Sequence, residues 1–595
     1  MALQSNTQIF IGGTPIKAYK RLMLHQEIDA HHVLELICRM DVLEGVSGEI
    51  ASESKNYLGE IITIKIASLD TANGYKELEF KGIVTSVSNT KGFHQQNGDM
   101  VSIKAHSCSI ITDDGPHYDS HSDVGLSEIL DKTFQGYDKS KLETTISPNN
   151  SESLHYSVQH NESAFEYASR LAAQYSEWFF YDGSKLVFGK PEDKETVELN
   201  YGHDLQEFSI NLRPTPNNFK YFTNDYLTDE QHEMTTAQVN SGVNGFNGFT
   251  SQKSEAIFAK ETSIYVNSYY DPQLKKRLDT HVEQQKKAAE IRQVQVQGVS
   301  DNPGVNIGQV IKIKGEQTDY GSFRIISVSH SSTENGKYQN NFIGVTADLD
   351  VYPNTNMMAF PKSESQVATV MDNSDPEGMS RIKVQFPWQK ASGEETPWLR
   401  VLTPHAGGGK GFQFTPEKGE EVIVGFEGGN AERPYVMGAL FTGGSNAGDW
   451  KTEKNDIKAI KTRGGHTLSF SDEDGKETIT ITDKNGNSII LDTSKKEINI
   501  SAPEKINFSS KEININAEET VNIDGKNNVN VKSKEILNDG SSKVTINSAA
   551  KVEVGAPSTL VEGKAELKLT SKGMTDIDGT TMTNVKGGLL NLNCG

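Results

Sequence analysis

Gly407-Gly408-Gly409-Lys410-Gly411 has the residue types of a loop that cradles phosphates. Such a loop needs a glycine six positions before its lysine and a Ser or Thr after it to hold magnesium. Those positions are Pro404 and Gly411, so the run reads as a loop of a β-barrel. His31-His32 are adjacent, whereas the paired histidines of a zinc protease lie four apart on a helix; they read as strand or surface histidines. Asp472-Glu473-Asp474-Gly475 begins like a calcium loop, but Glu477 is too near to close it as the bidentate ligand, and a hairpin turn fits better. Cys38, Cys108 and Cys594 are odd in number and widely spaced, which matches neither a disulfide framework nor a zinc site. They suit synthesis in a reducing compartment. Paired carboxylates for glycoside cleavage have no marker that brings two of the 80 acidic residues together, so a solvated acidic surface is the default reading. The expectation is therefore no catalytic residue, no metal, no cofactor and a mechanical role.

The elements that must carry that role are read from the repeat at the end of the chain. Apolar residues two apart recur as Ile498/Ile500, Ile506/Phe508, Ile513/Ile515, Val521/Ile523 and Val529/Val531. The series runs on through Ile536, Val544/Ile546, Val552/Val554, Leu560 and Leu567/Leu569 in steps of 8, 7, 8, 8, 7, 8, 8, 8 and 7 residues. Residues two apart share one face of a strand. A single chain closing a three-sided coil on itself needs roughly twenty residues per turn at about 3.3 Å per residue. Eight supply one strand and one corner. Three identical chains wound about one axis, each giving one face per layer, solve this and pair every strand edge except at the two ends. These Ile, Phe and Val pairs are then the trimer core. About fourteen strands at roughly 4.8 Å make a shaft of about 65–70 Å. Past residue 450 there is no Trp or Tyr, only Phe470 and Phe508, and only Pro503 and Pro557. A narrow axis has no room for more rings, and interior strands exclude proline. A disordered Asn-rich tail does not keep such a period. Cys594, near the axis in three copies, reads as a small apolar plug.

The chain has 595 residues, enough for roughly four domains. A net charge of −21 argues against a nucleic-acid binder, which needs a basic face. No apolar run approaches the length of a membrane span, and Met1 to Thr14 lacks the basic and apolar regions of a signal peptide.

Residues 1–115 read as a first β-barrel domain, with strands at Ile61–Ile66, Glu79–Val84 and Met100–Ile103. Asp113-Asp114-Gly115-Pro116 breaks the pattern. Residues 116–352 hold a helix at Ser163–Ser176, an aromatic hairpin turning at Asp182-Gly183, and a Gly-rich polar patch at Asn240–Thr250. They continue with a charged helix at Asp271–Gln293 and barrel strands at Val305–Ile313 and Phe323–Ser329. Residues 366–450 show five short strands, Gln366–Val370, Arg381–Phe386, Trp398–Val401, Glu421–Phe426 and Tyr435–Leu440, which fit an OB-fold. Residues 460–595 form the shaft.

Gly378-Met379-Ser380-Arg381-Ile382-Lys383-Val384-Gln385-Phe386-Pro387-Trp388, Trp398-Leu399-Arg400-Val401 and Arg433-Pro434-Tyr435-Val436-Met437-Gly438 resemble the OB domain of VgrG proteins, the trimeric spikes of type VI secretion systems. Pro416–Val424 and Glu427-Gly428-Gly429-Asn430 extend the match. Lys461–Phe470 and Asp474-Gly475-Lys476-Glu477 resemble the start of that family's β-helix, and Glu162–Lys190 resembles its hub. The resemblance implies a mainly β protein with hub barrels, an OB-fold and an intertwined trimeric β-helix. It implies that three hubs cap a six-fold inner tube of Hcp-like protein, meet baseplate proteins, carry effector proteins and are driven through a target membrane by sheath contraction. It further implies synthesis in a bacterial cytoplasm and export by the machine. Leu589, Leu590 and Leu592 would form an apolar end for a PAAR-type tip protein.

Two features known in phage spikes are not expected. The two dozen residues from Leu440 to Gly464 leave no room for a lysozyme domain. With His466 the last histidine, there is no His-x-His iron clamp. The chain stops at Gly595 without a toxin domain, so effectors are expected as separate proteins. A secreted β-solenoid adhesin or polysaccharide-degrading enzyme is the alternative; it calls for aromatic or acidic rows along the shaft.

Overall fold

The computed structural model describes residues 5–44, 51–69, 76–92, 98–192, 194–267 and 273–593. Cys594, read above as a plug, and Asp271, read as a helix start, lie outside them. The chain divides into two units, Met1–Lys458 and Ala459–Gly595.

In the first unit, alternation of apolar and polar residues dictates the strands. Arg21–Glu27 turns Leu22, Leu24 and Gln26 inward, Val33–Arg39 turns in Leu34, Leu36 and Cys38, and Ile61–Ser68 turns in Ile62, Ile64 and Ile66. These join Glu77–Thr90 and Met100–Ser107 as antiparallel neighbours. Later strands Val294–Ser300, Val310–Lys314, Asp319–Thr333 and Tyr338–Thr346 repeat the pattern. Strand Asp319–Thr333 pairs with Arg21–Glu27, Ser329 opposite His25. The early and late groups are thus one curled 13-stranded sheet. The strand expected at Val305–Ile313 starts only at Val310; Gly308, at φ 73°, precedes it.

One face of helix Ala164–Tyr175 packs Phe165, Tyr167, Ala168, Leu171 and Ala172 into this core. Ser163 caps it through a capping box with Glu166, at 3.1 and 2.8 Å. Hairpin Phe179–Tyr181 and Lys185–Gly189 follows, turning at Gly183 with φ 109°. A Cβ there would lie 2.5 Å from the Glu79 carbonyl, so only glycine fits.

Within the polar patch at Asn240–Thr250 begins a helix the sequence did not announce, Gly245–Ile257. Its inner face is polar. Asn247 donates to the Glu290 carbonyl at 2.8 Å and Ser251 to the Glu290 carboxylate at 2.7 Å, while Phe246, Phe249 and Ile257 face outward. A search for an apolar buried face therefore finds nothing. The charged helix further on spans Leu274–Ile291. Helix Leu126–Thr133 was not expected from the sequence at all.

Residues 366–441 place Lys383–Gln385, Gln366–Asp372, Glu421–Phe426 and Pro434–Leu440 side by side in one sheet. Ala368, Val370, Ile382, Val384, Phe386, Leu399, Val422, Val424 and Val436 fill its core. The expected strand Trp398–Val401 is not continuous. Leu399 bridges Ile382 and Val401 bridges Val436, because this segment crosses from one strand to another at a barrel corner.

The second unit opens with a sheet of five sequential strands, Ile457–Lys461, Thr467–Ser471, Thr478–Thr482, Ser488–Asp492 and Glu497–Ser501. Among the described residues, no strand follows Ser501.

Candidate assembly surface

The five-stranded sheet sorts its side chains by face. Leu468/Phe470, Ile479/Ile481, Ile489/Leu491 and Ile498/Ile500 stand opposite one another through successive antiparallel pairs and make one apolar face. Ser469, Thr480, Ile490 and Asn499 line the other. Among the described residues nothing covers the apolar face: Ile481 is 48% exposed and Ile498 68%. The sequence reading began its pairs at Ile498 and missed the three before it. They were legible as the same i, i+2 pattern, with starts 11, 10 and 9 residues apart at Leu468, Ile479, Ile489 and Ile498.

The shortening step has a structural meaning. Each hairpin reverses through a residue with positive φ: Gly475 at 74°, Gly486 at 89° and Lys496 at 58°. Asp483 stabilises the second turn by accepting from the backbone N–H of Asn485 at 2.9 Å and of Asn487 at 3.0 Å. Past Lys496 no described residue has positive φ, so the chain stops reversing. Instead it bends at regular intervals, at Pro503-Glu504, Glu518-Glu519, Lys526-Asn527, Ser541-Ser542, Ala549-Ala550, Pro557-Ser558, Lys564-Ala565, Lys572-Gly573, Thr580-Thr581 and Gly588-Leu589, with single bends at Lys511 and Lys534. The backbone period therefore runs on beyond Leu569, where the sequence reading ended it. A small residue stands four before most apolar pairs: Ser494, Ala502, Ser509, Ala517, Gly525, Gly540, Ser548, Ala556 and Gly563, with Lys532 the exception. The crowding at these corners is direct, since a Cβ on Gly563 would lie 2.4 Å from the Glu566 carbonyl.

All fourteen residues read as trimer core are exposed in the single chain, from 44% at Ile506 to 74% at Ile523 and Ile546. Leu589, Leu590 and Leu592 are 82%, 56% and 80% exposed. Contiguous apolar surface of this extent, with strand backbone unpaired beside it, marks an interaction surface.

The first unit builds the opposite kind of junction, a buried ionic one between residues 366–441 and the hub. Glu432 is 2% exposed and accepts from Arg170 at 3.3 Å, the Val158 N–H at 3.2 Å and Gln174 at 3.4 Å. Arg170 also holds Glu162 at 2.6 Å. Burial opposes the guanidinium charge, but Glu432 and Glu162 outweigh it and hold Arg170 above its ordinary range. Gln389 donates to Ser120 at 2.7 Å, and Arg400 lies 4.5 Å over the Tyr226 ring.

The residues weighed for chemistry fall elsewhere. Gly407 and Lys410 pair in a small exposed hairpin. Asp472–Gly475 lies in the turn between two strands. His31 and His32 are a correction. They sit in the turn between Arg21–Glu27 and Val33–Arg39, with His32 fully buried and His31 against Phe165 at 3.9 Å. Burial pushes their pKa down to about 4 for His31 and about 3 for His32. Gln26 donates to His32 at 3.1 Å and accepts from His330 at 3.0 Å, and His330 accepts from the Tyr338 hydroxyl at 2.7 Å. These rings serve the core. Cys38 and Cys108 are buried free thiols. The acidic groove of about 890 Å³ near Asp225, Glu230, Asp279 and Glu283 has its carboxylates partly neutralised, Asp279 by Lys275 and Glu283 by Lys287. Among the described residues, no group of three His, Cys, Asp or Glu side chains could hold a metal ion, and no helix is long and apolar enough to cross a membrane.

A curled hub sheet, an OB barrel and an uncovered β-repeat define a class, the hub-and-spike proteins of contractile injection machines. Comparison with known families agrees. Residues 43–336 match the phage tail baseplate hub, 366–441 the type VI secretion system/phage-baseplate injector OB domain, and 458–527 the phage baseplate V C-terminal trimerisation domain. Through these three matches together the chain is VgrG-like, similar to the spike proteins of type VI secretion systems. It is 28% identical over 172 residues to the type VI secretion system spike protein VgrG2a of Pseudomonas aeruginosa, a match covering 25% of this chain and 20% of that protein. It is 29% identical over 128 residues to the spike protein VgrG3 of Vibrio cholerae, covering 19% and 12%. The matched segments thus span a fifth or less of these relatives. In fold it is similar to a chain of the Francisella PdpA-VgrG complex in its lidded form, with 9% identity, a TM-score of 0.53, and coverage of 84% of this chain and 80% of that one.

Proposed function

We propose that three copies of this chain assemble into a non-enzymatic spike that a contractile machine drives through a target envelope. The observation that carries this reading is the uncovered apolar series from Leu468 to Leu592 on a backbone that, among the described residues, forms no strand past Ser501. A surface of that kind in water demands copies of itself. In the assembly, Ile498, Ile500, Ile506, Phe508, Ile513, Ile515, Val521, Ile523, Val529, Val531, Val544, Ile546, Val552 and Val554 meet at the axis. Leu589, Leu590 and Leu592 give the far end an apolar surface that suits a PAAR-type tip protein. The three hubs ring the end of an Hcp-like inner tube, baseplate and effector proteins ride with them, and contraction exports the whole. The domains follow as two hub regions at 1–115 and 116–352, an OB collar at 366–450 and the shaft at 460–595. Light scattering on the full chain after gel filtration tests the core of this: a mass three times that of the chain is expected, and a monomer at micromolar concentration overturns it.

A further inference from the structure

Five consecutive apolar pairs enclose the same residue. Asn499 lies between Ile498 and Ile500, Asn507 between Ile506 and Phe508, Asn514 between Ile513 and Ile515, Asn522 between Val521 and Ile523, and Asn530 between Val529 and Val531. The pattern then ends, with Thr545, Glu553 and Lys568 at the corresponding positions of later pairs. Solvation alone asks only for a polar residue there; five asparagines in succession ask for an amide.

The geometry of the chain puts these amides on the face away from the apolar pairs. Asn499 Nδ2 donates to Glu497 Oε1 at 3.1 Å, and Asn514 Nδ2 donates to Glu512 Oε1 at 3.1 Å, each a contact between residues two apart on one side of an extended segment. In three chains wound about one axis, each giving one face per layer, the next strand along a given face belongs to a different chain, about 4.8 Å away. An Asn side chain carries a donor and an acceptor, and a stack of amides at that spacing satisfies both by bonding to the amide above and the amide below. The residues before the first three pairs fit the same neighbour relation: Glu497, Lys505 and Glu512 alternate in charge, so these successive layers bring opposite charges together, while uncharged Thr520 and Asn528 precede the last two.

We propose that Asn499, Asn507, Asn514, Asn522 and Asn530 form three inter-chain asparagine ladders on the outside of the shaft, binding each chain to its two copies over the first five octads. The ligand of each amide is the same amide type on another copy of this chain. The proposal rests on the trimeric reading above and specifies the outer, polar half of its contact surface. It also separates the shaft into a proximal part fastened inside and out, and a distal part fastened by its apolar core.

The experiment uses the full chain with Asn507→Asp, Asn514→Asp and Asn522→Asp combined, against a charge-matched control carrying Asn527→Asp, Ser541→Asp and Asn547→Asp, positions at the bends or outside the five pairs. Stacked carboxylates repel, so the ladder variant is expected to remain trimeric by light scattering yet melt about 5 °C or more below the control at pH 7. That gap closes near pH 3, where aspartates with an ordinary value of about 3.9 take up protons. Equal melting of the two at pH 7 overturns the ladder and leaves the trimer standing. A parent chain that is itself monomeric removes trimer and ladder together. If the triple variant fails to assemble, Asn514→Thr decides, because it keeps strand propensity and deletes only the amide: a melting point below the parent's supports the ladder, and one equal or higher overturns it.

Discussion

Hub and shaft are written in the same alphabet. Ile62, Ile64 and Ile66 alternate with polar residues, and so do Ile513 and Ile515, yet the hub residues are 0–2% exposed while Ile515 is 69% exposed. The difference lies in what joins the strands. Hub strands reverse onto their own neighbours, so each apolar face finds its cover within the chain. In the shaft the joints shorten until reversal ceases after Lys496, and the same alternation is left facing outward. A binary pattern specifies that a core exists; the length and backbone conformation of the connections specify whether one chain or several must supply it.

The comparison can be broken most forcefully at the shaft. Ile515→Asp or Ile523→Asp sets three unpaired carboxylates about one axis, at several kcal/mol per ion. Association is expected to be lost in gel filtration with light scattering while hub unfolding is unchanged; a normal trimer with normal melting refutes the buried-axis assignment. The converse perturbation is Arg170→Met, which leaves Glu432 and Glu162 facing each other without their cation in the hub–barrel junction. It is expected to cost about 3–5 kcal/mol in the first unit, read by denaturant unfolding, with association retained.

The mildest test is pH. His31 and His281 are held down to about 4, and His32 and His330 to about 3, in every case by burial first. Below their ordinary value near 6.5 the unfolded chain binds protons that the folded hub refuses. Hub stability is therefore full above about pH 6.5 and falls as pH drops toward 4, by up to about 1.4 kcal/mol per pH unit for each ring. Past His466 the shaft has no histidine to add to this slope. Calorimetry from pH 7 to 5 should show the hub transition move down, with His330→Gln flattening the trend; a hub transition independent of pH breaks the distinction.

Much of this was legible in residue order, for identifiable reasons. The strands with strict alternation, the capped helix after Ser163 and the Asp182-Gly183 turn are encoded locally, and each stands where the sequence puts it. Helix Gly245–Ile257 was not, because it buries Asn247, Thr250, Ser251 and Ser254, two of them bonded to Glu290, and exposes its phenylalanines. His32 was not, because tertiary packing closes over it, with Phe80 and Tyr181 against its ring and Ser107 on its backbone N–H. The Trp398–Val401 segment carries strand residues but divides its pairing between two neighbours. On the candidate surface, the octads were plain and the three earlier pairs were hidden by their longer turns.

Those longer turns have a consequence for how winding begins. A repeat of near-identical octads aligns almost as well when shifted by one unit as when in step, so its polar and apolar contacts define register poorly. The sheet from Ile457 to Ser501 has no such degeneracy, since its pair spacings of 11, 10 and 9 residues are each used once. Its strands also pair within one chain, with no copy needed to complete the ladder. For chains that wind together, it is a folded starting block that aligns their octads, turning a slow search among staggered pairings into propagation from a single point.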